Sequence, residues 1–300
     1  MLQEQSPCYL LDVSFKHSKY SASYQTSKHI RWIRGRQVHR LLRPWISPVL
    51  RFLFNSGQST VVFVTDKELT CPRFRGKKHV AWVLEPPSID SNSYAYVASH
   101  SSKFDVVLTF HAELLELGSP FQFYPFGGCW IKPEDWCVYT KTRAVSIIAS
   151  AKRDTEGHQL RHKIIAESGR DDLALFGRGY REIPYKLEAL KDFQFSFVIE
   201  NSRLDYYFTE KLIDCLLTGT VPVYYGCPSI GKFFNTEGFL FLNDINELKD
   251  VENQLTEELY AQKLPAIREN FQLAQKYALA EDWIFENTDV FADPQPNILS

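Results

Sequence analysis

Three short, almost wholly apolar segments constrain the fold of this 300-residue chain more than any other feature. They read VVFV within residues 59–66, HVAWVL within 78–84 and VVLTF within 104–110. A strand with one solvated face alternates apolar and polar residues, whereas a strand covered on both faces reads as a continuous apolar run. Helices are predicted at ISPVLRFLFNSG, residues 46–57, before the first run and at SNSYAYVASHSS, residues 91–102, after the second. Such runs, separated by longer helical segments, predict an α/β fold with parallel sheets.

The second half of the chain repeats this alternation. Its predicted strands are 143–150, 172–179, 193–200, 220–226 and 239–244. Its predicted helices are 157–168 and 209–219, and residues 246–287 are predicted largely helical. Between the halves, GSPFQFYPFGGCWIKPEDW is rich in Gly, Pro and aromatic residues and has no period, which is typical of a linker. We therefore expect two domains, residues 1–138 and 139–300.

Charge and cysteine usage exclude several classes of protein. The net charge of −2 gives the chain no electrostatic reason to coat nucleic acid. The six cysteines include no CxxC pair, so we expect free thiols and not a zinc site or a disulfide framework. The start MLQEQSPCYLL lacks the pattern of a signal peptide and no apolar run is long enough to span a membrane, which favours a cytoplasmic protein.

Positive charge is concentrated between residues 28 and 51, where no acidic residue occurs. The basic cluster comprises Lys28, Arg31, Arg34, Arg36, Arg40, Arg43 and Arg51. One interpretation is the solvated face of one or two helices. The other is a surface that makes peripheral contact with an anionic acceptor or with membrane headgroups at the inner face of the membrane.

In open parallel sheets, ligands bind beyond the carboxyl ends of the strands. Three loops of the second half belong to that edge, namely 177–179, 201–210 and 226–231. Arg178 lies between two glycines, and Lys211 lies in the first turn of a predicted helix, a composition suited to a diphosphate. The alternative is that Thr209 only caps the helix and Lys211 is a surface charge. The chain contains neither GxxxxGK[ST] nor GxGxxG, which argues against a P-loop and a dinucleotide fold.

The segment FSFVIENSRLDYYFTEKLIDCLLTGTVPVYYGCPSIGKFF, residues 195–234, resembles the donor-binding motif of the family 10 glycosyltransferases, the α1,3/α1,4-fucosyltransferases. That motif runs F-x-F/L-x-x-E-N-S, a short spacer, Y-x-T-E-K, an apolar helix, and G-x-x-P-V/I-Y-x-G-x-P. Its anchors are present as Phe195, Glu200, Asn201, Ser202, Tyr207, Thr209, Glu210, Lys211, Pro222, Tyr224, Gly226 and Pro228.

The resemblance implies a GT-B architecture, in which two Rossmann-like domains face each other across a cleft. It also implies inverting transfer of L-fucose from GDP-β-L-fucose to a hydroxyl of an oligosaccharide or glycolipid acceptor, with α1,3 linkage expected. Carried over to this sequence, Arg161 and Lys211 would bind the diphosphate, and Glu210 would accept hydrogen bonds from the ribose. Asn201 and Tyr207 would line the donor pocket. Arg178 and Tyr225 flank the predicted donor loops.

An inverting transfer needs a base that takes the proton of the acceptor hydroxyl. Glu85 follows the strand in AWVLEPPSID, a segment that resembles the E-S/P-P-S segment in which the family has its proposed base. The alternative is that Glu85 merely ends a strand. His111, which follows VVLTF, is a second candidate base.

We expect neither a metal nor a cofactor to be required. No two aspartates are two positions apart, so the chain has no DxD metal motif, and two cations on the diphosphate could take the place of a metal. Two other functions remain open from sequence. One is a related glycosyltransferase with another nucleotide sugar, and the other is a non-catalytic protein that binds nucleotide sugars or carbohydrates.

Overall fold

The computed structural model describes residues 5–11, 27–34, 61–70, 78–125 and 127–292. In this part of the chain the strands form two sheets, and every strand pair in both is parallel. The first sheet has the order β2-β1-β3-β4-β5-β6. Its strands are β1 (Ser6–Leu11), β2 (Ile30–Arg34), β3 (Val61–Thr65), β4 (Lys78–Trp82), β5 (Val106–Thr109) and β6 (Phe121–Phe123).

Both faces of the first sheet are covered, which explains the continuous apolar runs. Val62 of β3 packs in the cluster that includes Val97 of helix α1 (Pro87–His100), on one face. On the other face, Phe63 and Trp82 are fully buried with ring centroids 6.0 Å apart. The predicted strands at 59–66, 78–84 and 104–110 and the helix after the second of them are confirmed. A short helix, α2 (Ala112–Leu115), follows β5.

The second sheet has the order β11-β10-β9-β7-β8. Its strands are β7 (Arg143–Ile148), β8 (Leu173–Phe176), β9 (Phe193–Ile199), β10 (Val221–Tyr225) and β11 (Leu240–Phe241). The helices of this half are α3 (Glu156–Glu167), α4 (Glu210–Leu216), α5 (Leu248–Asn253), α6 (Glu257–Gln275) and α7 (Ala280–Asn287). Each corresponds to a segment for which the sequence predicts the same type of element.

The central strand β9 positions the helices on which the candidate site depends. Phe197 belongs to a buried cluster with Ile164 of α3 and Ile267 of α6. Val198, the next residue, belongs to the cluster on the opposite face with Leu212 of α4. Because α3 and α4 are anchored on the two faces of the same strand, their N-terminal turns both approach its carboxyl end.

Two compact units divide the chain at a place that differs from the predicted boundary after residue 138. The described residues up to Tyr124, together with those from Glu281, form one unit, and Pro125–Ala280 form the other. The predicted linker begins with β6, an edge strand whose Phe121 pairs with Val107 and is buried. Its Gly- and Pro-rich surroundings hide this strand from a search for periodicity. The C-terminal segment returns to the first unit, where Trp283 packs edge-on against Tyr124 at 5.7 Å.

Several predicted features lie outside the described residues. Of the basic cluster at 28–51, the side chains of Lys28 and Arg31 are described and are exposed, Arg34 ends β2, and Arg36, Arg40, Arg43 and Arg51 fall outside. The helix predicted before β3 also falls outside, as does Cys71. The five described cysteines are free thiols, and four of them are buried. In the ranges given above, no helix has the length and apolar character needed to cross a bilayer.

Candidate functional site

The candidate site begins where β9 ends and the chain turns towards α4. Glu200 extends the pairing of β9 with β10, because its N–H donates to the Tyr225 carbonyl oxygen at 2.8 Å. Its side chain is 0% exposed. A buried carboxylate requires hydrogen-bond donors or a counter-charge. The Thr209 N–H donates to Oε1 at 2.8 Å and the Thr209 hydroxyl donates to Oε2 at 2.7 Å. Glu200 therefore fastens the start of α4 to the end of β9.

Lys211 is held by the same residues. Thr209 caps α4, and its Oγ1 accepts the Lys211 N–H at 3.3 Å. The Lys211 ammonium lies 3.0 Å from Thr209 Oγ1 and 3.5 Å from both Glu200 Oε2 and Glu210 Oε1. Its side chain is 26% exposed. The capping role of Thr209 is therefore confirmed, but Lys211 is a positioned, partly accessible cation and not a loose surface charge.

Arg161 reaches the same strand end from α3. Its Nε donates to the Ile199 carbonyl oxygen at 3.1 Å, and its Nη2 donates to the same oxygen and, at 3.0 Å, to Asn201 Oδ1. The side chain is 5% exposed. Burial lowers the pKa of the guanidinium, and the neighbouring Glu200, Glu210 and Tyr207 act in the opposite direction. Because a guanidinium is not deprotonated in proteins, Arg161 remains charged, and it fixes the orientation of Asn201.

A glycine allows α3 to come this close. A Cβ on Gly157 would lie 1.7 Å from the Glu200 carbonyl oxygen and 2.9 Å from the Asn201 Cα, distances that no side chain tolerates. The Gly157 N–H donates to the Asn201 carbonyl oxygen at 3.3 Å. The first turn of α3 is thus in direct backbone contact with the loop that follows β9.

Two further carboxylates complete the cluster. Glu210 Oε1 lies 3.4 Å from the Lys186 ammonium, which is also 3.1 Å from Asp214 Oδ2. Burial alone would raise the pKa of Glu210, but Lys211 and Lys186 outweigh it and hold the pKa at about 2. Burial raises the pKa of Asp214, which accepts the Trp130 N–H at 2.6 Å. Glu210 therefore stays ionised, and Lys186 keeps it in place.

The cluster balances three cations against three carboxylates, namely Arg161, Lys186 and Lys211 against Glu200, Glu210 and Asp214. Such internal pairing keeps buried charges acceptable in the absence of a ligand. Lys211 is the cation of this cluster that we expect to contact an anion. Its side chain is partly exposed, so its ammonium can bind phosphate oxygens while Glu200 and Thr209 hold it in position. The arrangement is suited to binding a diphosphate through preorganised charge-assisted hydrogen bonds.

Two predicted tyrosines lie at this edge in different surroundings. Tyr207 is 1% exposed and close enough to Arg161 to raise the pKa of its guanidinium. Tyr225 ends β10, donates its hydroxyl hydrogen to the Glu156 carboxylate, and lies under the Arg203 guanidinium at 5.7 Å. Burial, followed by the Glu156 carboxylate, raises the pKa of Tyr225 to about 12. Beside it is a pocket of about 120 Å³, whose lining includes Arg203.

Arg178 is not brought to the cluster by any contact among the described residues. Its side chain is 85% exposed and forms a 3.5 Å ion pair with Glu182. The preceding Gly177 has φ +102°, and a Cβ there would lie 2.1 Å from the Ala149 carbonyl oxygen. The glycine is thus required by packing against the sheet, and the role of Arg178 in donor binding stays a prediction.

The candidate bases lie in the first unit. Glu85 is half-buried beyond the end of β4. Its N–H donates to Asp66 Oδ1 at 3.3 Å, and its carbonyl oxygen accepts the Tyr94 hydroxyl at 2.9 Å. The ring of His111 packs edge-on against Tyr94 with centroids 5.0 Å apart, and its buried Nδ1 has no hydrogen-bond partner among the described residues.

Three residues that the structure places at these sites have no role predicted from sequence, although one of them, Glu200, is an anchor of the donor-binding motif. Glu200 closes an apolar run, and a charged residue in that position is a signal that could have assigned it. Lys186 lies in a segment without periodicity and reaches Glu210 only through the fold. Asp66 ends the first apolar run, and nothing in its neighbours along the chain predicts its contact with Glu85.

Comparison with known proteins relates the second half of this chain to a known family. Residues 138–288, slightly more than half of the chain, match the family described as glycosyltransferase family 10 (fucosyltransferase), C-terminal part. The chain is 35% identical over 72 residues to the alpha-(1,3)-fucosyltransferase FucT of Helicobacter pylori, and 35% identical over 71 residues to a putative fucosyltransferase-like protein of Arabidopsis thaliana. These alignments cover 24% and 23% of this chain, and only 15% and 14% of the relatives' own lengths.

Solved structures resemble the whole chain. A crystal structure of an alpha1,3-fucosyltransferase has a TM-score of 0.54 at 15% identity and covers 98% of this chain and 92% of its own. Its counterpart with GDP-fucose has a TM-score of 0.52 at 16% identity and covers 98% and 94%. Anabaena Alr3699/HepE in complex with UDP-glucose has a TM-score of 0.59 at 11% identity and covers 94% and 99%. These similarities confirm the predicted α/β fold of GT-B type.

Proposed function

This chain is a member of glycosyltransferase family 10, and from that premise we propose that it is an inverting glycosyltransferase. It would transfer L-fucose from GDP-β-L-fucose to a hydroxyl of an acceptor glycan, with α1,3 linkage. The observation that carries the proposal is the Glu200–Thr209–Lys211 arrangement at the carboxyl end of β9, with Arg161 bound to the same strand end. Ligands of open parallel sheets bind at this edge.

In the proposed reaction, the bond between fucose C1 and the β-phosphate oxygen breaks and negative charge grows on GDP. Lys211 and Arg161 would stabilise that charge more strongly in the transition state than in the bound donor, which lowers the barrier. Glu210, ionised at neutral pH, would accept hydrogen bonds from the ribose hydroxyls. Asn201, oriented by Arg161, and the buried Tyr207 would line the donor pocket, with Tyr225 and Arg178 at its margin.

Glu85 is the proposed base. As the acceptor oxygen attacks C1 from the face opposite to GDP, its proton would pass to the Glu85 carboxylate, and the β-linked donor would give an α-linked product. The proposal requires no metal, since two cations on the diphosphate would do the work of a Lewis acid. The acceptor would be an oligosaccharide or glycolipid, reached at the inner face of the membrane through the basic cluster.

Calorimetric titration tests the donor. GDP-fucose, GDP-mannose, GDP and UDP-glucose are titrated into the protein in the presence of chelator and then with added Mg²⁺, and GDP formation from GDP-fucose is measured in a screen of oligosaccharide acceptors. We expect both GDP and GDP-fucose to bind, and we expect the affinity for each to be the same in chelator as with added Mg²⁺. A preference for GDP-mannose or UDP-glucose would exclude fucose, and binding only with Mg²⁺ would exclude the metal-free mechanism.

A pair of variants distinguishes a catalytic function from simple binding of the donor. Glu85→Gln is expected to abolish transfer and to leave the affinity for GDP-fucose unchanged. Glu113→Gln, which changes an exposed carboxylate in the same unit, serves as the control and should match the wild type. Normal transfer by Glu85→Gln would contradict the base assignment. Donor binding by the wild type without transfer to any acceptor would favour a non-catalytic binding protein.

A further inference from the structure

Asp66 occupies an unusual place in the first unit. It follows β3 directly, is 1% exposed, and has φ +35°, a region that residues other than glycine adopt uncommonly. Its Oδ1 accepts two backbone N–H groups, from Leu84 at 2.8 Å and from Glu85 at 3.3 Å. Non-glycine residues persist in such backbone conformations where the surrounding contacts require them.

These two hydrogen bonds take the place of main-chain hydrogen bonds between β3 and β4 beyond the point where their pairing ends. Thr65 pairs with Trp82 in the register of β3 and β4, and beyond that point β3 turns away into a 3₁₀ turn, Asp66–Glu68. The opposite side of β4 remains paired one residue further, since the Val83 N–H donates to the Leu108 carbonyl oxygen at 3.0 Å. The Asp66 carboxylate supplies the acceptor that the main chain of β3 no longer offers.

Side chains therefore hold the backbone of Glu85 at both its N–H and its carbonyl group. Asp66 accepts its N–H, and the Tyr94 hydroxyl donates to its carbonyl oxygen at 2.9 Å. The next residue, Pro86, is buried and precedes α1, whose first residue is also a proline. The direction in which the Glu85 side chain leaves the backbone therefore depends on Asp66.

We propose that Asp66 is the positioning residue of the acceptor-activating base, holding the backbone of Glu85 so that its carboxylate meets the acceptor hydroxyl. The inference rests on the proposed function, in which Glu85 is that base. Asp66 itself is too deeply buried for a sugar to reach, whereas Glu85 is half-buried. A misplacement of about 1 Å in a catalytic group can lower a rate by about 10²-fold.

The charge state of Asp66 supports its role. Burial, followed by the like charges of Glu85 and Asp90, raises the pKa of Asp66 to about 7, although the Leu84 and Glu85 N–H groups lower it. Tyr94 is the further titratable group that faces it. Asp66 Oδ2 has no hydrogen-bond partner in the described part of the chain, so a proton can reside there while Oδ1 still accepts both N–H groups. Hydrogen bonds to an ionised acceptor are stronger than those to a neutral one, so the hold of Asp66 on the Glu85 backbone weakens, without being lost, when Asp66 gains a proton.

The test compares wild type, Asp66→Ala, Asp66→Asn and the control Thr109→Val. The control removes a buried side-chain acceptor at the end of the neighbouring strand, where Thr109 Oγ1 accepts the His111 N–H at 3.1 Å. The measurements are kcat and KM for GDP formation from GDP-fucose with acceptor, the affinity for GDP, the melting temperature, and the pH profile of kcat. The wild type is measured first, because inactive wild type refutes the proposed function itself.

We expect Asp66→Ala to lower kcat by about 10²-fold with GDP affinity and donor KM unchanged. Asp66→Asn, which retains an oxygen acceptor, should restore most of kcat but lose an inflection near pH 7 that the wild type shows. Thr109→Val should keep kcat despite a lower melting temperature. Wild-type kcat in Asp66→Ala, or an equal loss of kcat in Thr109→Val, would overturn the proposal. If Asp66→Ala does not fold, an unchanged pH profile in Asp66→Asn would overturn it.

Discussion

The carboxylate of Glu200 lies 3.5 Å from the ammonium of Lys211 and also accepts both polar hydrogens of Thr209. One fully buried side chain therefore determines how α4 begins and where its cation lies. Glu200 contributes no exposed atom to a ligand, so its importance to the proposed donor site comes through Thr209 and Lys211.

Loss of Glu200 should be costly for the fold. Glu200→Ala leaves the buried Thr209 N–H and hydroxyl without acceptors and removes one of the two carboxylates beside Lys211, and we expect the free energy of unfolding to fall by about 3–5 kcal/mol. Glu200→Gln keeps one acceptor and should lose about 1–3 kcal/mol. Urea denaturation measures both. The control is Glu182→Gln, which breaks the exposed ion pair with Arg178 and should cost less than about 1 kcal/mol. Equal losses in Glu200→Ala and Glu182→Gln would refute the assigned role.

A matched glycine pair tests the contact between α3 and the loop after β9. Gly157→Ala places a Cβ 1.7 Å from the Glu200 carbonyl oxygen, whereas Gly169→Ala meets no atom closer than 3.9 Å. We expect Gly157→Ala to lose at least about 3 kcal/mol of stability or to bind GDP at least about tenfold more weakly, since backbone atoms must move. Gly169→Ala should change either quantity little. Denaturation measures the stability of both variants, and calorimetry measures their affinity for GDP. Wild-type values of both quantities in Gly157→Ala would show that the close approach of α3 to the loop after β9 is not required.

Stability should fall below neutral pH because of His158. Burial, with Arg161 and Lys152 nearby, lowers the pKa of this side chain to about 4 in the folded chain, from 6.5. Between these values the unfolded chain binds the extra proton, so this contribution to stability is complete above pH 6.5 and is lost as the pH falls towards 4. At about 1.4 kcal/mol per pKa unit, the loss between pH 7.5 and 5 is on the order of 2 kcal/mol at most, because solvent screens part of it.

Denaturation of the wild type and His158→Gln at both pH values checks this linkage. The variant should lose less stability than the wild type on acidification. An identical loss in the two proteins would mean that other groups carry the acid sensitivity.

The sequence predicts neither β1 nor β2. Strands β3, β4 and β5 and the strands of the second sheet were predictable because each carries its own apolar run along the chain. The edge strand β6 was not, because its three residues lie among prolines and glycines and it is defined only by pairing with β5. The sequence also did not predict that the C-terminal segment belongs to the first unit, because this depends on contacts between distant residues such as Trp283 and Tyr124.

The candidate site likewise contains residues that the sequence predicts and residues that it does not. Asn201, Tyr207, Glu210 and Lys211 belong to one contiguous motif, so a single segment of sequence predicts them together. Lys186 and Asp66 act through contacts between elements that are distant along the chain, Lys186 with Glu210 and Asp66 with the backbone after β4. Sequence reasoning has no local pattern from which such contacts follow.

The central claim is that a diphosphate binds at the carboxyl end of β9, and the affinity for GDP of Lys211→Met and Lys163→Met tests it most directly. Lys163 is exposed on α3 and serves as the matched control. A charge-assisted hydrogen bond is worth about 1.5–3 kcal/mol, so we expect Lys211→Met to bind GDP about 10- to 100-fold more weakly than the wild type. Lys163→Met should bind within about twofold of the wild type. Wild-type affinity in Lys211→Met, or an equal loss in both variants, would contradict a donor site at this position.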